Sequence, residues 1–123
     1  MPVRSLSSPV LRWPDRATVD GAVRAWAAQL AAHHAELLRV GYFGSYARGD
    51  WGVGSDLDLV VVVASADEPF LTRAASWDTT GLPVPADLLV YSRDEWDALD
   101  RRGRFCAMLA REVVWVWGEG QTL

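Results

Sequence analysis

The stretch Gly44–Val63, GSYARGDWGVGSDLDLVVVV, decides how the chain reads. It closes in a continuous apolar run, the pattern of a strand covered on both faces rather than of one alternating between core and water. Yet Asp56 and Asp58 stand at the mouth of that run. A carboxylate so placed costs free energy unless something compensates its charge. Two residues apart on an extended chain, both side chains point to one face. Unpaired, they repel, and one of them tends to hold a proton. With one or two divalent ions they become a clamp of hard oxygen ligands, the kind that suits Mg2+ or Mn2+ and substrate phosphates.

A D-x-D pair alone is weak, since a solvated strand start gives the same letters. Two features sharpen it. Gly44-Ser45 follows the short strand pattern Arg39–Phe43 (RVGYF) and precedes a short helical stretch, Tyr46–Arg48. Glycine lets the backbone approach a phosphate closely, and Ser45 adds a hydroxyl; the plainer reading is a turn with a helix cap. A third acid, Asp87, opens the next apolar run, ADLLVY. If its strand neighbours that of Asp58, it could both ligate an ion and accept a proton from an attacking hydroxyl. Other motifs fail. GSYARGD lacks the Lys-Ser/Thr end of a P-loop, GVGSDL precedes its strand instead of following one, and valines stand where an EF-hand needs oxygens.

Around this centre the chain alternates. A helix is expected from Thr18 to Leu38, with Val19, Val23, Trp26, Leu30, His34 and Leu37 on one face and Thr18 or Asp15 as its cap. After the loop Asp50–Gly54 come a buried strand at Leu57–Ala64, a helix over Asp67–Trp77, a proline-containing loop over Thr79–Pro85 and a strand at Ala86–Tyr91. Ser92 with Glu95 reads as a capping box, opening a helix to about Leu99. A further helical stretch, Phe105–Arg111, and a last strand, Val113–Trp117, complete the order. The fold class is α/β (α+β), a small mixed sheet flanked by helices. Residues 1–17 read as an irregular segment, 18–118 as a single domain and 119–123 as a tail.

Composition narrows the function. At 123 residues with 50% hydrophobic content, one domain with a real core is expected. A net charge of −4 disfavours nucleic acid as direct substrate. All 12 cationic side chains are arginine, and the absence of lysine, isoleucine and asparagine looks like genome base composition rather than chemistry. The lone Cys106 excludes an intrachain disulfide, fits a reducing cytoplasm, and reads as a core residue rather than a nucleophile. His33 and His34, adjacent near a helix end, read as favourable partners of the negative dipole end rather than metal ligands. No apolar segment reaches membrane-spanning length, and no signal peptide is recognisable. The 7 tryptophans fit either core packing or a partner surface; Trp26 is expected in the core and Trp51 exposed.

Gly44-Ser45, then Asp56-x-Asp58, then Asp87 in ADLLVY resembles the signature of the DNA polymerase β-like nucleotidyltransferase superfamily. GSYARGD…SDLDLVV is most similar to its small bacterial branch, the minimal nucleotidyltransferase (MNT) domains, over roughly Leu37 to Gly118. The resemblance implies a nucleotidyltransferase fold. It implies that Gly44 and Ser45 hold the β- and γ-phosphates of ATP, that Asp56 and Asp58 bind two Mg2+ ions, and that Asp87 completes the metal site and helps deprotonate the acceptor. Arg48 matches the family's A-R-G and would steady phosphates, or else pair with Asp50 or a neighbouring acid. Stand-alone MNT domains resemble type VII-like antitoxins, whose partner is a HEPN-domain ribonuclease toxin and whose activity is AMP transfer from ATP to a toxin tyrosine. Two alternatives stay open: nucleotide transfer to a small hydroxylated molecule such as an antibiotic, and an antitoxin that acts by binding alone.

Overall fold

The computed structural model describes residues 13–118. The expectations for residues 1–12 and for the tail 119–123 lie outside them. The valine run forms β2 (Leu57–Val63), hydrogen-bonded on both edges. On one side β1 (Leu37–Phe43) pairs with it antiparallel, and on the other β3 (Ala86–Ser92) pairs parallel. β4 (Val114–Gly118) lies antiparallel on the far side of β1, so the sheet order is β3-β2-β1-β4. The mixed sheet expected from the sequence is present.

Both faces of β2 are covered, which is why its sequence does not alternate. Leu57, Leu59, Val61 and Val63 face a core that includes Val19, Val23, Trp26 and Ala27 of α1 (Arg16–His33). Val60 and Val62 face Trp96 of α4 (Arg93–Asp97) and Leu109 of α5 (Arg104–Glu112). The tryptophans divide between these two layers. Trp13, Trp26, Trp51, Trp77 and Trp117 pack on the α1 side, Trp96 and Trp115 on the other. Trp26 is in the core as expected. Trp51 is not exposed: its ring stacks on buried Tyr46, centroids 5.6 Å apart. Cys106 is a buried core residue.

Gly41 marks the tightest packing in the sheet. A β-carbon there would lie 2.7 Å from Cε3 of Trp115, so the missing side chain is what lets that indole lie on β1. The β1–β4 register slips between Val40 and Gly41, next to this contact.

Two helix boundaries differ from expectation. α1 begins at Arg16 with Asp15 as its N-cap, Oδ1 accepting from Thr18 N–H at 2.8 Å. It ends at His33 rather than Leu38, because Leu37 pairs with Val63 in the sheet and the His34 ring stacks on Trp77. Asp67–Trp77 is not one helix. It holds a single turn, α3 (Phe70–Arg73), continued by a 3-10 turn at Ala74–Ser76.

Arg73 gives the reason for that interruption. It is a buried cation, and its guanidinium donates to the Glu68 and Val90 carbonyls and forks onto the Glu95 carboxylate. Glu95 is also the acid of the capping box with Ser92, accepting from Ser92 N–H at 2.9 Å. One ion pair thus joins the β2–β3 crossover to the end of β3.

These hydrogen bonds from Arg73, then from Ser92, hold Glu95 down to about 2 from an ordinary 4.5. A depressed pKa contributes stability above the unfolded value that disappears as pH falls through the folded one. Because Glu95 is partly exposed, solvent screening limits the contribution to about 1–2 kcal/mol. Glu95→Gln is expected to lower the unfolding free energy by that amount at pH 7. In urea titrations at stepped pH, the gap to wild type should close between pH 4.5 and about 2.

Candidate active site

The polar end of the sheet is where β1 stops and β2 and β3 start. Strand pairing sets the arrangement. Phe43 lies opposite Asp58 across the antiparallel pair, and Asp58 lies in register with Asp87 across the parallel pair. Parallel strands run about 4.8 Å apart with registered side chains on one face. The two carboxylates therefore project side by side, on the face that deeper in the sheet carries Val60 and Val62. Asp56 precedes β2 by one residue, two positions from Asp58.

Gly44 closes the site from above. It caps α2 (Ser45–Arg48), with φ +82° in the region that only glycine enters cheaply. A β-carbon at Gly44 would overlap the Asp58 carboxylate at Oδ2. The backbone thus passes directly over Asp58, as a strand-to-helix turn built to approach a ligand would. Ser45 opens α2, and its carbonyl accepts from the N–H groups of Gly49 and Asp50. The loop back to Asp56 is tied down at Tyr46, whose hydroxyl donates to the Pro14 carbonyl at 2.9 Å and whose ring stacks on Trp51.

Electrostatics single out Asp58. Burial pushes its pKa up, and the charges of Asp87 and Asp56 push it further, opposed by Arg48. A carboxylate crowded by two others is a place of unmet negative charge. An all-oxygen set of this kind fits a hard divalent cation in kind, and such an ion would relieve the repulsion. As the side chains stand, no three acid, histidine or cysteine side chains among the described residues are gathered tightly enough to hold an ion. What the fold delivers is the registered pair Asp58–Asp87, with Asp56 beside it.

Arg48 takes the ion-pair role in this structure. Its Nε donates to Asp50 Oδ2 at 3.0 Å, and one terminal nitrogen donates to Glu112 Oε1 at 3.3 Å. Glu112 is the site residue that sequence reasoning missed. Its Oε1 also accepts from Gly44 N–H at 3.2 Å. It arrives from the last turn of α5, far along the chain, and nothing in AREVV marks it.

A family model described as nucleotidyltransferase domain matches residues 29–110, two thirds of the chain and all three acids. The chain belongs to that family. No curated protein sequence matches this nucleotidyltransferase domain. Among solved structures, a Sulfolobus solfataricus protein described as a candidate nucleotidyltransferase superposes with TM-score 0.61 at 21% identity, covering 88% of this chain and 89% of its own. A chain of a toxin–antitoxin structure with AMP-PNP gives 0.52 at 19% identity, covering 80% and 75%. A chain of the tri-AMPylated Shewanella oneidensis HEPN toxin in complex with MNT antitoxin gives 0.52 at 16% identity, covering 81% and 73%. At these identities the likeness is one of fold.

Two outcomes test this geometry. Gly44→Ala combines a forbidden dihedral with a clash against Asp58 and should cost about 2 kcal/mol or more, read by urea denaturation. Asp58→Asn should act the other way. Since folding raises the Asp58 pKa, its ionised form opposes the fold, and the penalty is absent below the unfolded value of 3.8 and complete above the raised one. The variant is expected to melt about 2–5 °C higher than wild type at pH 7, with the gain gone in melts near pH 3.

Proposed function

We propose that this domain transfers a nucleotide from a nucleoside triphosphate, ATP in the first instance, to a hydroxyl of a protein partner. The observation that carries the reading is the registered pair Asp58–Asp87, with the Gly44 backbone lying against Asp58. A site that only bound another protein would gain nothing from crowding acids around a half-buried carboxylate. Membership of the nucleotidyltransferase family supports the reaction class.

In this reading the acceptor oxygen attacks the α-phosphorus, the bond to the bridging oxygen breaks, and pyrophosphate leaves. Asp87, on the exposed side of the pair, takes the acceptor's proton. Gly44 N–H, the Ser45 hydroxyl and the Arg48 guanidinium hold the β- and γ-phosphates. The registered pair Asp58–Asp87, with Asp56 beside it, would hold Mg2+ together with substrate phosphate oxygens, and the ion when bound would offset the phosphate charge. Orientation of the phosphates by fixed donors supplies much of the rate.

For the acceptor, we favour a tyrosine on a HEPN-type toxin, which would make the domain an antitoxin that silences its partner by AMPylation. The fold neighbours support this choice, since one is from a complex of a tri-AMPylated HEPN toxin with its MNT antitoxin and another is from a toxin–antitoxin structure with AMP-PNP. Among the described residues no helix is long and apolar enough to cross a membrane.

The test is incubation of the purified protein with α-phosphate-labelled ATP, Mg2+ and host lysate. One labelled protein band is expected, reduced about 100-fold or more in Asp58→Ala and Asp87→Ala. Label confined to small molecules would move the acceptor to a small hydroxylated compound. Neutralisation of a captured partner that survives both substitutions would instead make the domain a binding antitoxin.

A further inference from the structure

Gly44 N–H and the Arg48 guanidinium are the donors that the proposed function assigns to phosphate oxygens. Both are already taken by one carboxylate. Glu112 Oε1 accepts from Gly44 N–H at 3.2 Å and from an Arg48 terminal nitrogen at 3.3 Å, with Oε2 at 3.5 Å from the same nitrogen. The Glu112 side chain is only 13% exposed, against 46% for Arg48 and 61% for Asp50. It is wedged into the site, while the Arg48–Asp50 contact lies in solvent.

A carboxylate and a phosphate compete for the same donors, since both present paired anionic oxygens to N–H groups. They cannot share the space without like-charge repulsion. We propose that Glu112 is an internal phosphate surrogate that takes the donors of the triphosphate subsite and yields them when nucleotide binds. Arg48 need not move in this exchange, because its Nε stays on Asp50. Glu112 ends α5, with Val113 already extended, so a side-chain rotation is enough to release it. The surrogate keeps Gly44 N–H satisfied when no nucleotide is present. In return it weakens nucleotide affinity, because each binding event must first break these contacts.

This inference rests on the proposed function, and the experiment separates the two. ATP with Mg2+, and inorganic tripolyphosphate, are titrated calorimetrically into wild type and Glu112→Gln, with KM and kcat measured beside them. Glutamine keeps an acceptor oxygen for Gly44 N–H, and an unchanged melting temperature verifies the fold. Expected are about tenfold tighter binding of both ligands by the variant, a matching fall in KM, and kcat within about twofold. Equal or weaker binding by the variant overturns the surrogate, weaker binding meaning that Glu112 instead aims Arg48 at the phosphates. A gain for ATP but none for tripolyphosphate also overturns it, because the contact would then lie elsewhere on the nucleotide. Wild type binding with no gain in the variant defeats this inference alone, whereas no nucleoside triphosphate binding to either protein defeats the proposed function and this with it.

Discussion

The parallel pairing of β2 with β3 is the constraint on which the site depends. A parallel ladder needs a crossover between its strands, and it fixes which residues stand abreast. Here the register sets Asp58 beside Asp87. A slip of one residue would turn one of these acids to the opposite face and bring its apolar neighbours out of the core. The same register that buries Leu59 and Val61 against α1 therefore aligns the carboxylates. Core and site are one specification, written in alternate residues of one strand.

The crossover also needs an anchor. Residues 64–85 hold little regular structure, and Arg73 binds them to the end of β3 through Val90 and Glu95. Glu95 caps α4, which presents Trp96 to the sheet, where the indole meets Trp115 edge-on and lies near the Arg39 guanidinium. The connection that sets the β3 register and the layer that covers its neighbour β2 share one carboxylate. A buried cation in a loop is costly unless it is paired and hydrogen-bonded, and this one is held by two carbonyls and a two-pronged acid.

Much of this was legible in the sequence because it is local. Two-sided burial of β2 shows as an unbroken valine run, the capping box shows as Ser92 and Glu95 three apart, and the acids show because Asp is conspicuous before apolar strands. What was illegible depends on partners distant in sequence. The helical pattern of α1 runs on through His34 and Leu37, but sheet pairing claims Leu37 and an indole claims His34. The helix expected over Asp67–Trp77 yields to the tertiary demands of Arg73. Trp51 looked exposed among glycines, yet Tyr46, three residues after β1, gives it a face to lie on. Glu112 could not be read at all, since its role exists only once α5 is docked beside Gly44.

The geometry at Gly44 has a consequence for how the two positions can change over time. Two independent requirements forbid a side chain there, its backbone dihedral and the Asp58 carboxylate. Only the second disappears if Asp58 is shortened. Descendants that abandon the chemistry can therefore lose the acid in one step and keep a sound turn, while the glycine stays locked in place by the path of the backbone. The reverse order is closed to them. In a degenerate copy of this domain, glycine without the acid is the relic to expect, and its presence alone says nothing about whether the copy still works.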